Sequence, residues 1–360
     1  MRKHLALSVL WGAICLGGFG ALAAAVKDKP AEASEVYFSK EISRGALKAA
    51  YERLNFKPEG KLAVKVHFGE DGNENFIPPA LLKELVTGLK GTFVETNTLY
   101  GGSRSDTKSH IATAKKHGWG YAPIDILDDK GEAALPYKGK YFSRVYVGKG
   151  MADYGSFLVI SHFKGHGTAG FGGAIKNLAM GFASPNGKKA QHSGQFPTIN
   201  KKCVKCGICR SACPVGAIGE DYVIDRKKCI GCGKCVETCP YGAIDAAPAA
   251  TKGAAFQEKL AEYAAGVTAG RKFAYISLLM NISAACDCRA GAPAPFVGDV
   301  GILASNDPVA LEQASFDLVN KAAGLPDAFR HETGVSGLRA IERAEELGLG
   351  RRKYRLIELK

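Results

Sequence analysis

Eight of the eleven cysteines fall into two copies of one motif. The first copy is CVKCGICRSACP at residues 203 to 214, and the second is CIGCGKCVETCP at residues 229 to 240. Each copy reads C-x2-C-x2-C-x3-C-P, and every cysteine of the first recurs 26 residues later in the second. The first three cysteines of such a motif bind one iron–sulfur cubane, whereas the fourth, turned away by the proline after it, reaches the neighbouring cluster. The pattern therefore predicts two 4Fe–4S clusters.

The predicted ligand sets cross between the two copies. The first cluster would be held by Cys203, Cys206, Cys209 and Cys239, and the second by Cys229, Cys232, Cys235 and Cys213. Zinc sites use two C-x2-C pairs, and disulfides do not require so strict a repeat, so both alternatives are disfavoured. Residues 199 to 246 resemble the bacterial two-cluster ferredoxins, and this resemblance implies transfer of single electrons.

A second group of reactive residues lies in SHFKGHGTAGFGGAIKNLAMG, residues 161 to 181. His162 and His166 could bind a metal ion or transfer protons. The clustered glycines of this stretch indicate tight turns or a close approach of the backbone to a ligand. The alternative is structural, with one histidine bonded to the backbone and the other facing solvent.

Two loops carry residues suited to binding an anion. A helix that begins within the glycine-rich stretch offers backbone N–H groups, with Lys164 or Lys176 beside them. In NTLYGGSR, residues 97 to 104, a guanidinium could bind a carboxylate or phosphate through two hydrogen bonds. The substrate-binding residues predicted in this way are His67, Asn97, Arg104, Gly172 and Gly173. The predicted catalytic residues are His162, His166 and Lys176.

Cys286 and Cys288 stand apart from the repeated motif, on either side of Asp287. They are too close for an unstrained disulfide, but two thiolates at this spacing can bind one ion or form a redox pair. They are predicted to belong to a second metal or redox centre, with Asp287 pointing away from it. The alternative is a pair of small buried side chains.

Apolar strands alternate with helical segments on both sides of the cysteine motifs. The predicted strands are 61–68, 92–99, 123–129, 156–163, 272–280 and 300–305. The predicted helices are 79–91, 106–118, 172–182, 254–266 and 308–324. This alternation predicts an α/β fold, a mostly parallel sheet with helices on both faces. Ligands of such sheets bind beyond the carboxyl ends of the strands, where the candidate residues fall.

The cysteine motifs interrupt the alternation once. Residues 36–195 and 250–360 are predicted to be two parts of one α/β domain, and residues 196–248 a small α+β insertion of the two-cluster ferredoxin type. Asp307, directly before Pro308, is predicted to cap a helix rather than to take part in catalysis.

The N-terminus predicts export. Arg2 and Lys3 are followed by an uncharged stretch, residues 5–26, that ends in small residues suited to cleavage. Residues 1–25 are therefore predicted to be a signal peptide of an exported, periplasmic or otherwise extracytoplasmic protein. The alternative is an uncleaved anchor that associates with the membrane through residues 5–26.

The net charge is +13, but the basic residues are spread along the chain without one dominant cluster. This distribution argues against nucleic-acid binding. Lysines and arginines beside the cysteine motifs would attract an acidic surface, so a redox partner protein is predicted.

Several of these stretches together are similar to the family called domain of unknown function 362, the uncharacterised Fe–S centre proteins. The resemblance covers residues 60–325 and includes KVHFGE, TNTLYGGSR, the glycine-rich stretch, the double cysteine motif, CDC and GILASNDPVALEQA. It implies an α/β domain with an inserted ferredoxin unit and implies no particular reaction. Gly172-Gly173-x-x-Lys176 also resembles the Gly-Gly-x-Lys loop of nickel-pincer lactate racemases, whose lysine holds the cofactor, with one residue more.

The leading prediction is an electron-transfer oxidoreductase that relays electrons to a small anionic substrate or a second metal centre. Two alternatives stay open. One is a binding or maturation protein without turnover, in which the clusters are structural or sense redox state. The other is an isomerase of the nickel-pincer type.

Overall fold

A central sheet of eight strands organises the part of the chain that the structure describes. The computed structural model describes residues 32–99, 102–192, 197–213, 216–225, 228–229, 234–245 and 253–359. In spatial order, the strands of the central sheet are β14 (Tyr354–Glu358), β1 (Ser34–Ser39), β13 (Gly301–Ser305), β12 (Lys272–Leu279), β7 (Ser156–His162), β2 (Leu62–Lys65), β3 (Thr92–Glu95) and β4 (Ile124–Ile126).

The remaining strands form short two-stranded sheets. They pair as β5 (Glu132–Pro136) with β6 (Arg144–Gly148), β8 (Lys164–His166) with β9 (Gly170–Gly172), and β10 (Thr198–Ile199) with β11 (Ile244–Asp245). The helices of the described residues are α1 (Arg44–Arg53), α2 (Pro79–Gly88), α3 (Thr107–Lys116), α4 (Ala174–Gly181), α5 (Pro185–His192), α6 (Ile208–Ala212), α7 (Lys234–Thr238), α8 (Gly253–Thr268), α9 (Pro308–Ala323), α10 (Ala328–Thr333) and α11 (Leu338–Glu346).

The sheet is mostly parallel, as predicted. Strands β12, β7, β2, β3 and β4 run in one direction, since β2, β3 and β4 are joined by the crossover helices α2 and α3. Strand β13 is antiparallel to both of its neighbours. Residues 280–300 form no helix, so the chain reverses there and returns beside β12 instead of crossing the sheet. The α/β class is confirmed, and the antiparallel strand is the exception within it.

Helices cover both faces of the sheet, and the side chains of β7 show the two sides. Phe157 and Val159 point into one core, which α4, α8 and α9 complete. Leu158 and Ile160 point into the other core, against residues of α1, α2 and α3. Because successive side chains of a strand alternate between faces, an almost continuous apolar strand is the expected pattern for a sheet that is buried on both sides.

The insertion keeps the internal repeat of its sequence. Helices α6 and α7 occupy equivalent positions of the two motifs, and Gly216 and Gly242 each turn the chain with a φ of 56°. Equivalent isoleucines are then paired in both halves: Ile218 forms an isolated bridge with Ile224, and Ile244 of β11 pairs with Ile199 of β10. In the chain, α5 precedes the predicted insertion and α8 follows it.

The predicted signal peptide or anchor, residues 1–25, lies outside the described residues. From Ala33 onward the chain forms one compact unit. Among the described residues, none of the helices combines the length and the apolar composition that a bilayer crossing requires.

The predicted cap of α9 is confirmed, and it does more than cap the helix. Asp307 Oδ1 accepts hydrogen bonds from the N–H groups of Val309 at 2.8 Å and Ala310 at 3.0 Å. Its second oxygen, Oδ2, accepts from the Ser34 hydroxyl at 2.7 Å and from the Arg351 N–H at 2.8 Å. One carboxylate thus joins the start of α9 to both ends of the described chain.

Asp307→Ala should therefore lower the free energy of unfolding by about 2 kcal/mol, the upper end of the range for a lost helix cap. Denaturant unfolding measures the change. Asp327→Ala is a matched control, because Asp327 caps the short helix α10 through a single amide, so its loss should cost less. Equal effects of the two substitutions would contradict the joining role of Asp307.

Candidate functional site

A cavity of about 260 Å³ lies beyond the carboxyl ends of β2, β3, β7 and β12. This is the edge where the sequence predicts the site. The predicted residues that line the cavity are His67, Arg104, His162, His166, Gly172, Gly173, Lys176, Cys286 and Cys288. Four separate stretches of sequence therefore meet at one place, as the strand order requires.

One wall of the cavity is a buried network of charges. Glu95, the last residue of β3, bonds to Lys65 Nζ at 2.6 Å and to Arg104 Nη1 at 3.2 Å. Arg104 also donates from Nε to Glu70 at 3.1 Å, and its side chain is only 2% exposed. Burial opposes ionisation of Glu95, but the charge of Lys65 and the hydrogen bond from His110 hold its pKa well below the usual value. The wall is therefore ionised and fixed.

This network changes the role predicted for Arg104. The sequence predicts a guanidinium open to a substrate carboxylate, but two of its nitrogens bond to the protein's own carboxylates. Arg104 lines the cavity as part of its charged wall.

The structure corrects the prediction for Asn97. Its side-chain amide donates to Thr107 Oγ1 at 3.2 Å, and its Oδ1 lies 3.2 Å from Nδ1 of the buried His110. Asn97 is not among the described residues that line the cavity. Its side chain instead holds the start of α3 against the end of β3.

His162 lines the cavity, but both of its ring nitrogens are engaged. Nδ1 lies 2.8 Å from Asp287 Oδ1, and Nε2 lies 2.7 Å from the carbonyl oxygen of Met280. Asp287 also pairs with Lys164 Nζ at 3.1 Å. Burial alone would raise the pKa of Asp287, but the charges of His162 and Lys164 lower it far below its usual value. His162 therefore positions Asp287 rather than offering a nitrogen to a ligand.

His67 and His166 present a different arrangement. Nδ1 of His67 accepts the N–H of Gly69 at 3.1 Å, and Nδ1 of His166 accepts the N–H groups of Thr168 and Ala169 at 3.2 and 3.1 Å. Burial, with the nearby charges of Arg104 for His67 and Lys176 for His166, lowers the pKa of each ring well below its usual value. Both rings are therefore neutral and carry their proton on Nε2, which makes Nε2–H a donor.

The helix N-terminus predicted to bind an anion is already occupied. Glu312, from α9, accepts the N–H of Ala174 at 2.6 Å and also that of Ile175. A side chain on Gly173 would meet this carboxylate, since its Cβ would lie 2.5 Å from Oε2. Gly172 and Gly173 line the cavity, but the amides that follow them bind the protein's own carboxyl group. The anion prediction for these amides is corrected.

Cys286 and Cys288 are close enough to share a hydrogen bond. The hydrogen bond from Cys288 holds the pKa of Cys286 well below its usual value, although burial opposes this shift. The charges of Lys176 and Lys164 lower the pKa of Cys286 further. The same hydrogen bond raises the pKa of Cys288. Lys176 Nζ lies 4.0 Å from Cys286 Sγ. The pair is thus a thiolate beside a thiol, facing a cation, and Asp287 points to the protein interior as predicted.

Lys188 is a cavity residue that the sequence does not reveal. It lies in a polar stretch that resembles a linker, but the stretch folds into α5 and returns to the cavity. Its Nζ bonds to Thr96 Oγ1 at 2.6 Å and to the carbonyl oxygen of Asn97 at 2.5 Å. Burial lowers the pKa of Lys188 to about 7. His192, also on α5 and also lining the cavity, has a pKa that burial lowers to about 4.

The described groups in and behind the cavity wall include both cations and anions. The groups that can carry a positive charge are Lys65, Arg104, Lys164, Lys176 and Lys188. The anions are Glu70, Glu95, Asp287 and the Cys286 thiolate. Lys176 and the two Nε2–H donors are not paired with a carboxylate of the described residues, and together they suit a small anion.

In the insertion, four predicted cysteines meet at one hollow. Cys203, Cys206 and Cys209 line it together with Cys239 from the other motif. Of the second set, Cys213 and Cys235 pack in the core of the insertion, Cys229 is described, and Cys232 lies outside the described residues. Backbone N–H groups donate to sulfur at Cys203, Cys213 and Cys239, over 3.2 to 3.4 Å.

The chain belongs to a family defined by sequence. The model of the domain of unknown function DUF362 matches residues 62–317, which include both the cavity and the insertion. No curated protein matches the chain.

The solved structures that are similar to the chain include the following two. One is the lactate racemase apoprotein from Thermoanaerobacterium thermosaccharolyticum, with 12% identity, a TM-score of 0.37, and coverage of 70% of this chain and 52% of that one. The other is a protein from Thermotoga maritima, with 9% identity, a TM-score of 0.40, and coverage of 78% and 58%. The chain spans little more than half the length of either.

Glu312 makes the free energy of unfolding depend on pH. Burial raises its pKa to about 8 from an ordinary 4.5, so the folded protein keeps a proton that the unfolded chain releases. The stability that this proton provides is therefore complete below about pH 4.5 and is lost as the pH rises to about 8. Relative to Glu312→Gln, the wild type should lose up to about 1.4 kcal/mol of unfolding free energy per pH unit in this window. Parallel pH profiles of the two proteins, measured by denaturant unfolding, would contradict the assignment.

Proposed function

We propose that the chain is an iron–sulfur oxidoreductase whose insertion holds two 4Fe–4S clusters and whose cavity binds a small anionic substrate. The observation that carries the proposal is the meeting of Cys239 with Cys203, Cys206 and Cys209 at one hollow. These are the four residues that the motif spacing assigns to one cluster.

The surroundings of the cysteines are compatible with such clusters. Among the residues that the structure describes, no three or more His, Cys, Asp or Glu side chains are grouped so that they could hold a metal ion. What supports a cluster is the hollow that four of the predicted cysteine ligands share. Backbone N–H bonds to sulfur stabilise the reduced state of a cluster, and three of the predicted ligands have one. When bound, the clusters would supply single electrons.

The cavity supports an anionic substrate better than a second metal centre. A histidine that binds a metal through Nε2 keeps a lone pair there and usually donates Nδ1–H to an acceptor. His67 and His166 have the opposite arrangement, with Nδ1 accepting backbone N–H groups. Their Nε2–H groups, together with Lys176, can instead donate to the oxygens of a carboxylate or phosphate.

The remaining cavity residues suit redox chemistry on that substrate. Cys286 and Cys288 form a thiolate and thiol pair that can be oxidised and reduced, and Lys176 stabilises the thiolate form of Cys286. His166 can donate its Nε2 proton to an oxygen atom that gains charge during reduction. His162 acts indirectly, because it holds Asp287 and so fixes Lys164.

The insertion also offers a surface for an electron-donating partner. Four large apolar side chains on it are 44% to 62% exposed: Val204, Ile208, Val223 and Tyr241. Three of them line the hollow of the first cysteine set, and the exposed Lys201, Lys202 and Lys205 lie beside that set in the chain. An apolar patch near basic residues favours a redox partner protein with an acidic surface. Export through residues 1–25, or anchoring through residues 5–26, is part of the proposal.

Metal content separates this proposal from the alternatives. Purified without oxygen, the full chain should carry about eight irons and show a reducible iron–sulfur signal. Cys206→Ser should disturb one cluster while the other stays intact, as read by iron analysis and electron paramagnetic resonance.

Cys286→Ser is the matched control for that experiment. It changes a cysteine of the cavity and should leave the iron content unchanged. Zinc in place of iron, or equal iron loss in both variants, would contradict the cluster assignment. Nickel in the wild-type protein would favour the nickel-pincer alternative, and stable clusters that no reductant or substrate affects would favour a binding or maturation role.

A further inference from the structure

Lys188 differs from the other buried cations of the cavity. Lys65, Arg104 and Lys164 each bond to a carboxylate, at 2.6 to 3.2 Å. Lys188 is 8% exposed, and no Asp or Glu of the described residues lies within ion-pair distance of it. A buried ammonium without a counter-ion is costly, so the neutral amine is favoured.

The two hydrogen bonds of Lys188 Nζ use two of the three positions around the nitrogen that its side chain does not occupy. The Thr96 hydroxyl donates to the carbonyl oxygen of Gly181 at 3.2 Å, so its oxygen accepts a proton from Lys188 Nζ. The Asn97 carbonyl oxygen accepts a second one. In the neutral amine, the remaining tetrahedral position holds the lone pair. Lys188 lines the cavity, so a ligand bound there lies next to this side chain.

Burial is the main influence on the protonation of Lys188. It lowers the pKa to about 7, although the charges of Asp128 and Glu95 oppose this shift and those of Lys65 and Arg104 add to it to a smaller extent. Near neutral pH about half of the side chain is then the free amine, whereas an ordinary lysine is almost fully protonated.

We propose that Lys188 is a nucleophile that forms an imine with a carbonyl group of the substrate. This inference rests on the proposed anion-binding function of the cavity and narrows its substrate class. The substrates would be small anions that carry a carbonyl group, such as 2-oxo acids. The cations and Nε2–H donors would bind the carboxylate, and Lys188 would react with the carbonyl carbon.

The reaction is balanced without a further reactant. The Lys188 lone pair adds to the carbonyl carbon, which forms a C–N bond and moves the carbonyl π electrons to oxygen. That oxygen leaves as water together with the two protons of the amine, and a C=N bond results. A protonated imine accepts electrons more readily than the parent carbonyl, which is compatible with a reductive site.

Reductive trapping with glyoxylate and sodium borohydride tests the proposal on the full chain. Borohydride reduces the imine and leaves carboxymethyl-lysine, which peptide mapping by mass spectrometry locates. At pH 7, Lys188 should be modified about tenfold or more faster than Lys189, its neighbour on α5. Oxalate, which has no carbonyl group able to form the imine, should bind the cavity and protect Lys188.

Two variants complete the test. Lys188→Arg should remove the fast adduct, and Lys189→Arg should keep it, with melting temperatures confirming that both variants fold. If wild-type protein binds oxalate but Lys188 reacts no faster than Lys189, the imine proposal is overturned and the anion site stands. If Lys188 reacts fast but oxalate neither binds nor protects, the anion site is overturned and the nucleophile stands.

Discussion

Glu95 is the residue on which the arrangement of the cavity depends. It stands at the end of β3, almost inaccessible to solvent, and binds both Lys65 and Arg104. Removing one partner of a buried ion pair leaves the other charge without compensation, which is strongly destabilising. The two ion pairs therefore depend on each other, and they hold the segment that carries Arg104 against the strand. Lys65 and Arg104 are neutralised by carboxylates of the protein itself. Lys176 and the histidines are therefore the groups that can bind a ligand.

The same edge of the sheet shows how backbone contacts decide what a histidine can do. His67 and His166 accept backbone N–H groups at Nδ1 and so become donors at Nε2, while His162 is taken up by Asp287 and Met280. His67 and His166 can therefore donate hydrogen bonds to an anion, whereas His162 positions Asp287. Lys188 adds an amine whose environment favours the neutral form.

The sequence predicts the elements well and the contacts between them poorly. Strand and helix periodicity located the central strands and crossover helices, and Asp307 before Pro308 identified the cap of α9. Strands β1 and β14, which lie next to each other at one side of the sheet, were missed; β14 is largely exposed and lacks the continuous apolar pattern of the central strands. The anion prediction at α4 was wrong because Glu312, 138 residues farther along, occupies its amides. Lys188 was missed because its stretch is polar, and only the fold brings it to the cavity.

Calorimetric titration with oxalate tests the cationic cavity most directly. Wild-type protein should bind oxalate, more weakly at high salt. Lys176→Gln should reduce the affinity about tenfold or more, since a charged hydrogen bond is lost. Lys83→Gln, on the exposed face of α2 and outside the cavity, should bind as the wild type does. Absence of binding to the wild type, or equal affinity in Lys176→Gln and the wild type, would contradict the account.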